Sequence, residues 1–147
     1  MRPAFLRIAF FLALSLGAAS ASFTAGAAGL SELEAGAVRQ VIVAQLQAFA
    51  DDDADSAFAF ASPGIRAAIG EAGHFLAMVR GAYPMVYRPA AFSFLKPEED
   101  SGEVMQLVQI TDDHDKSWLV LFSLERQPDA SWRISGCAVA ENRWRSA

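Results

Sequence analysis

Cysteine is nearly absent: Cys137 is the only one in 147 residues. A lone thiol excludes an internal disulfide and any thiol-pair redox motif, so stability in an oxidising compartment must come from the core. Histidine is scarce as well. His74 and His114 stand too far apart to form a metal-ligand spacing, so no metal is implied. Gly-rich phosphate loops and nucleophile elbows are missing, which leaves no cofactor implied. Positive charge is in deficit, with 12 Lys and Arg against 17 Asp and Glu. An acidic chain repels phosphate backbones, which argues against nucleic acid as a partner. The same repulsion holds for anionic membrane surfaces. After residue 30 no apolar run approaches the roughly 20 residues that a bilayer-spanning helix needs.

What is present begins with a leader. Arg2 and Arg7 give a positive start, and Ile8 to Leu16 (IAFFLALSL) is an uncharged apolar run. Small residues follow, with Ala19-Ser20-Ala21 fitting the cleavage rule and Ala25-Gly26-Ala27 offering a later position. The expected organisation is a signal peptide over 1–21, with cleavage as late as 27, and one domain over 30–147. The expected destination is the periplasm or the outside of the cell. No cysteine lies near the cleavage region, which excludes a lipid anchor there. Losing the two leader arginines takes the formal charge of −5 to −7. The remaining chain, roughly 120 residues, is long enough to bury a core.

Its front half has helical periodicity. Val38, Val41, Ile42, Ala48 and Phe49 recur at three- and four-residue spacing within 33–49. Ser31 and Glu34 fit a capping box. After the acidic cluster at Asp51, Asp52, Asp53 and Asp55, a short helix over about 54–61 turns Ala57, Phe58 and Ala61 inward. Ser62-Pro63 predicts the start of a third helix, with Ile65 and Ile69 on one side and Gly70 ending it. A fourth helix over about 72–80 carries Phe75, Leu76 and Val79 and stops at Gly81.

The back half alternates as strands do. Phe92 and Phe94 mark a short first strand, and 97–102 (PEEDSG) reads as a polar loop. In 103–111, Val104, Gln106, Val108 and Ile110 share one face. The stretch 117–125 is apolar on both faces and belongs in the middle of a sheet. The last strand, 132–140, holds Gly136, which suggests a bulge. Cys137 is expected to be a buried small hydrophobe there. Turns at 112–115 and 128–131 join the strands into a meander. The expected fold class is α+β, with helices on one face of a curved antiparallel sheet of about four strands.

Several segments also carry a likeness. Ile42-x-x-Gln45-Leu46-x-Ala48-Phe49, the run Ala57 to Ile65, Phe75-x-x-Met78-Val79 and Trp132-Arg133-Ile134-x-Gly136 are joined by the most specific stretch, Tyr83 to Pro89 (YPMVYRP). Together they resemble the exported bacterial family catalogued as domain of unknown function 4864. That family lies within the nuclear transport factor 2-like superfamily, and the likeness covers about residues 36–140. It implies a cone-shaped fold with an apolar cavity, and it implies export. It brings no assigned activity.

Five residues are candidates for lining such a cavity. Gln45 falls on the apolar stripe of its helix, where a buried amide needs partners at a cost of roughly 1–3 kcal/mol if unpaired. It serves either as a structural tie or as a polar spot in the cavity. Tyr83, Tyr87 and Arg88 sit in a segment that Pro84 and Pro89 push toward extended geometry. They either close a cavity mouth or form a rigid connector. Trp118 alternates with Val120, Phe122 and Leu124, as core or as cavity wall. Two functions follow. One is a non-catalytic module that takes a small apolar ligand or a partner protein, with sheet alternation that permits a homodimer. The other is an isomerase, dehydratase or hydrolase, for which His74, Glu103 and Glu125 are the nearby acid–base candidates.

Overall fold

The computed structural model describes residues 29–143. The leader, with both cleavage positions, and residues 144–147 lie outside the described residues. Residues 32–143 form one compact unit. Helix α1 spans Glu32–Ala50 and buries Val38, Ile42, Gln45, Leu46 and Phe49, the stripe its spacing predicts. The acidic cluster ends it: Asp52 takes a left-handed φ of 55°. Asp53 then caps α2, Ala54–Ala59, by accepting from the Ser56 N–H at 3.2 Å. Helix α3, Pro63–Ile69, has Ser62 as its cap and Gly70 at φ 97° beyond its end. Helix α4, Ala72–Ala82, buries Phe75, Leu76 and Val79 and runs one residue past Gly81.

In the Tyr83–Pro89 stretch, Tyr83 and Arg88, the residues before the two prolines, lie at φ −132° and −144°, outside helical geometry as expected. Pro84 starts a one-turn helix, α5, Pro84–Tyr87, which buries Met85 and Val86. Proline's fixed φ suits the first helical position, and only the residue before it is kept out of helical geometry.

Five strands follow: β1 (Ala91–Phe94), β2 (Glu98–Asp100), β3 (Glu103–Thr111), β4 (Ser117–Arg126) and β5 (Trp132–Glu141). They form an open, curved antiparallel sheet, so the α+β class is as expected. The extra strand is β2, within the stretch read as a polar loop. Its three residues are all exposed, so no hydrophobic period marks them. Both β1 and β2 pair with the same edge of β3 and act as one interrupted strand. The break falls between Phe94 and Glu98, at Pro97, which has no N–H to give. Gln106 fills the gap from inside: its amide nitrogen donates to Leu95 O at 2.7 Å and to Leu107 O at 2.9 Å. That contact explains a fully buried glutamine in a row of valines. Gln106 Oε1 is buried without a partner among the described residues.

Strands β3 and β4 pair in register from Glu103↔Glu125 to Thr111↔Ser117, which sets Val104, Gln106, Val108 and Ile110 beside Leu124, Phe122, Val120 and Trp118. Direct partners share a face, so this row is the inner one. Each large apolar side chain there gains roughly 1.5–3 kcal/mol from burial. Between β4 and β5 the register slips at Ser123 and Leu124. Ser135 is the extra residue, next to the predicted Gly136. The slip changes which residues face inward. Ile134 pairs with Leu124, and Cys137 pairs with Phe122. Beyond the bulge, Cys137 therefore faces the helices, and Gly136 pairs with outward Ser123.

Candidate functional site

One cavity lies between the helices and the inner face of the sheet. It measures about 210 Å³. Helix α1 supplies Gln45 and Phe49, and the sheet supplies Phe122, Ile134, Gly136 and Cys137. The other side is built by Ala61, by Ile65 and Ile69 of α3, and by Phe75, Met78 and Val79 of α4. Tyr83 and Val86 complete it. Wider, shallower depressions run along the outer side of α1.

The depth of the cavity comes from a local strap. The α2–α3 junction forms a single parallel bridge with β5, Ala61 opposite Ile134. Ser62 N–H donates to Ile134 O, and Ile134 N–H donates to Phe60 O, both at 2.8 Å. Ser62 Oγ in turn accepts from Ile65 N–H at 3.3 Å. One buried serine thus fixes where α3 leaves the sheet. Phe75 packs at 5.7 Å from Phe49 and 5.5 Å from Phe58, ring centre to ring centre. These tilted pairs hold α4 against α1 and α2.

The lining is apolar, with three exceptions. Gln45 is only 3 % exposed, and its amide nitrogen donates to Ala57 O at 3.1 Å. That bond ties α1 to α2, helix to helix. Tyr83 contributes a half-buried phenol. Cys137 is the third. The expectation that it is a buried core residue is corrected, because the thiol opens into the cavity and is exposed there. Burial among apolar groups pushes it up to about 11. The two facts are compatible. A side chain on the wall of an accessible cleft can be reached by solvent and still be poorly solvated. The thiol is protonated at neutral pH and is a poor nucleophile.

Three of the five predicted site residues lie elsewhere. Tyr87 and Arg88 are not among the lining residues. The Tyr87 hydroxyl donates to Asp52 Oδ1, and Arg88 donates to Asp52 Oδ2 at 3.1 Å. Arg88 and Arg80 lie over the Tyr87 ring at 4.8 and 5.6 Å. The Asp52 hydrogen bond holds the phenol above the ordinary tyrosine range. This cluster clamps α5 to the α1–α2 turn. Trp118 is also absent from the lining. Its indole N–H donates to Asp112 Oδ2 at 2.9 Å, and Lys116 sits over its ring at 5.0 Å. It is pinned at the β3–β4 turn, where the strand has left the cavity. The residues that sequence reasoning missed are Met78, Val86 and Cys137. The first two entered the sequence reading only as part of the family likeness, and the bulge hid the third.

The acid–base candidates do not converge. His74 is exposed, and Glu103 faces Glu125 on the outer side of the sheet. Asp112, Asp113 and His114 each have an atom within 4.8 Å of the others. Asp112 is already engaged, however: Oδ1 accepts from the His114 and Lys116 N–H groups, and Oδ2 from Trp118. The Trp118 bond, then Lys116, hold its carboxyl below the usual range. A turn built this way stands without a cation.

Comparison with known proteins settles the family. Residues 31–147 match the family described as Domain of unknown function (DUF4864). The chain belongs to that family. No curated protein matches the chain. Among solved structures, a similar one is an NTF-2 like protein of unknown function from Burkholderia xenovorans LB400. It is 16 % identical, with a TM-score of 0.44, and the match covers 76 % of this chain and 91 % of that one. Within this DUF4864 chain, the candidate site is the partly open apolar cavity between α1, the α3–α4 pair and β5.

Proposed function

We propose that this is an exported, non-catalytic module that binds a small, largely apolar molecule in the cavity. The supporting observation is the composition of the wall. Among the described lining residues there is no carboxylate, imidazole, ammonium or guanidinium. Acid–base chemistry needs a group of tuned pKa within reach of the substrate. The ionisable side chains here are Tyr83 and the protonated Cys137 thiol. Binding needs only shape and apolar surface, and both are present.

A thermal-shift screen of the chain expressed from its full reading frame tests the proposal. Neutral aromatic and aliphatic compounds are expected to raise the melting temperature, and charged analogues to leave it unchanged. Stabilisation by carboxylates alone would contradict this reading. The same preparation tests export. The mass of the protein recovered from the periplasm should place its first residue at Ser22 or Ala28.

The outer face of the sheet supports a second role, self-association. Leu107 pairs with Leu121, and Leu119 with Ala140, and the three leucines are only partly buried. Sedimentation of the exported chain over a range of concentrations distinguishes a dimer from a monomer.

A further inference from the structure

We infer that the ligand is a neutral aromatic molecule of about ten non-hydrogen atoms, carrying one N–H or O–H donor that docks on Gln45 Oε1. The inference rests on the cavity being a binding site, and it goes on to name the ligand's chemistry. Gln45 is 3 % exposed and lines the cavity. Its nitrogen is spent on Ala57 O. Its oxygen has no hydrogen-bond partner among the described residues. That oxygen is also not sealed in the core, since among the described residues the only fully enclosed, unpartnered side-chain atom is Gln106 Oε1. An acceptor is therefore presented at the base of an apolar cavity, and the bond to Ala57 holds it in place.

Charge is set by the rest of the wall. Neither a cation nor an anion finds a counter-charge among the described lining residues. Burying an unpaired ion is far more costly than burying a neutral polar group. Size follows from volume. An apolar cavity near 150 Å³ takes benzene, so about 210 Å³ takes a fused bicycle. Planarity follows from Phe49 and Phe75, whose rings meet at 46° in the lining, with Phe122 and Tyr83 beside them in it. Such rings favour an aromatic guest in stacked or edge contact.

The test is calorimetric titration of the exported chain with two isosteric probes. Indole carries the N–H donor, and benzothiophene has the same shape without it. Indole is expected to bind about tenfold more tightly, the scale of one buried hydrogen bond. The variant Gln45→Met is expected to bring the two affinities within a factor of about two. Equal binding of both probes by the unaltered chain would overturn the donor inference while leaving the cavity reading intact. Binding of neither probe, up to its solubility limit, would overturn both. The comparison on the unaltered chain decides the matter even if Gln45→Met fails to fold.

Discussion

On one side of the cavity stand Gln45, Phe49, Phe122 and Ile134, none more than 5 % exposed. On the other stand Ile65 and Ile69, partly exposed, with Met78 at 39 %. The first wall is built from a five-turn helix and a paired sheet, and each residue is held from several directions. The outer part of the second is carried by Met78 of α4 and by α3, a seven-residue helix that buries none of its own residues fully. Local opening is easiest where few apolar contacts must be broken. On the proposed ligand role, the difference separates a base that would set shape and polarity from a lightly held rim through which a guest would enter. The single strap at Ser62 joins the two.

The largest test of that contrast is Phe122→Ala against Ile69→Ala. Removing the buried ring should cost about 3–5 kcal/mol in urea denaturation. The rim substitution should cost less, about 1–2 kcal/mol, because Ile69 stays partly exposed in the folded chain. Similar losses would erase the distinction between the walls. Next in size is Ser62→Ala, expected to cost about 1 kcal/mol through the lost cap. Hydrogen exchange should show the opening confined to α3. Exchange that rises equally in α1 would mean the strap holds the whole fold.

The thiol gives a pH-dependent test. The folded value for Cys137 lies at about 11 against an ordinary 9.0. The folded state therefore holds the proton longer than the unfolded chain. Stability should be unaffected by this group below pH 9, decline as pH rises from about 9 to 11, and level off above. Alkylation by iodoacetamide should follow the same rise and run slower than in the denatured chain. The smallest effect is expected for Tyr87→Phe, which loosens the Asp52 clamp and leaves probe affinity unchanged.

Much of this was legible in the residues. The α1 stripe, the cap at Ser62, the inner row of β3 and the bulge beside Gly136 all follow from local rules of period, cap and turn. Other features depend on what meets across the fold. Asp52 lies far from Tyr87 and Arg88 in sequence, and no spacing shows that it claims both. Trp118 alternates correctly but stands at a strand end, where Asp112 takes its N–H. Counting by twos along β5 turns Gly136 inward with Ile134. The bulge at Ser135 breaks that count, and a single extra residue is enough to bring Cys137 into the cavity. The polar edge strand β2 left no period to read.

That placement makes the Cys137 thiol a direct reporter of whether the cavity is occupied. The alkylation rate of Cys137 should be followed at fixed pH as indole is added to the exported chain. The rate should fall in step with calorimetric occupancy, and the denatured chain should show no protection. Indole that binds by calorimetry yet leaves the Cys137 rate unchanged would place the guest elsewhere and contradict the cavity as the binding site.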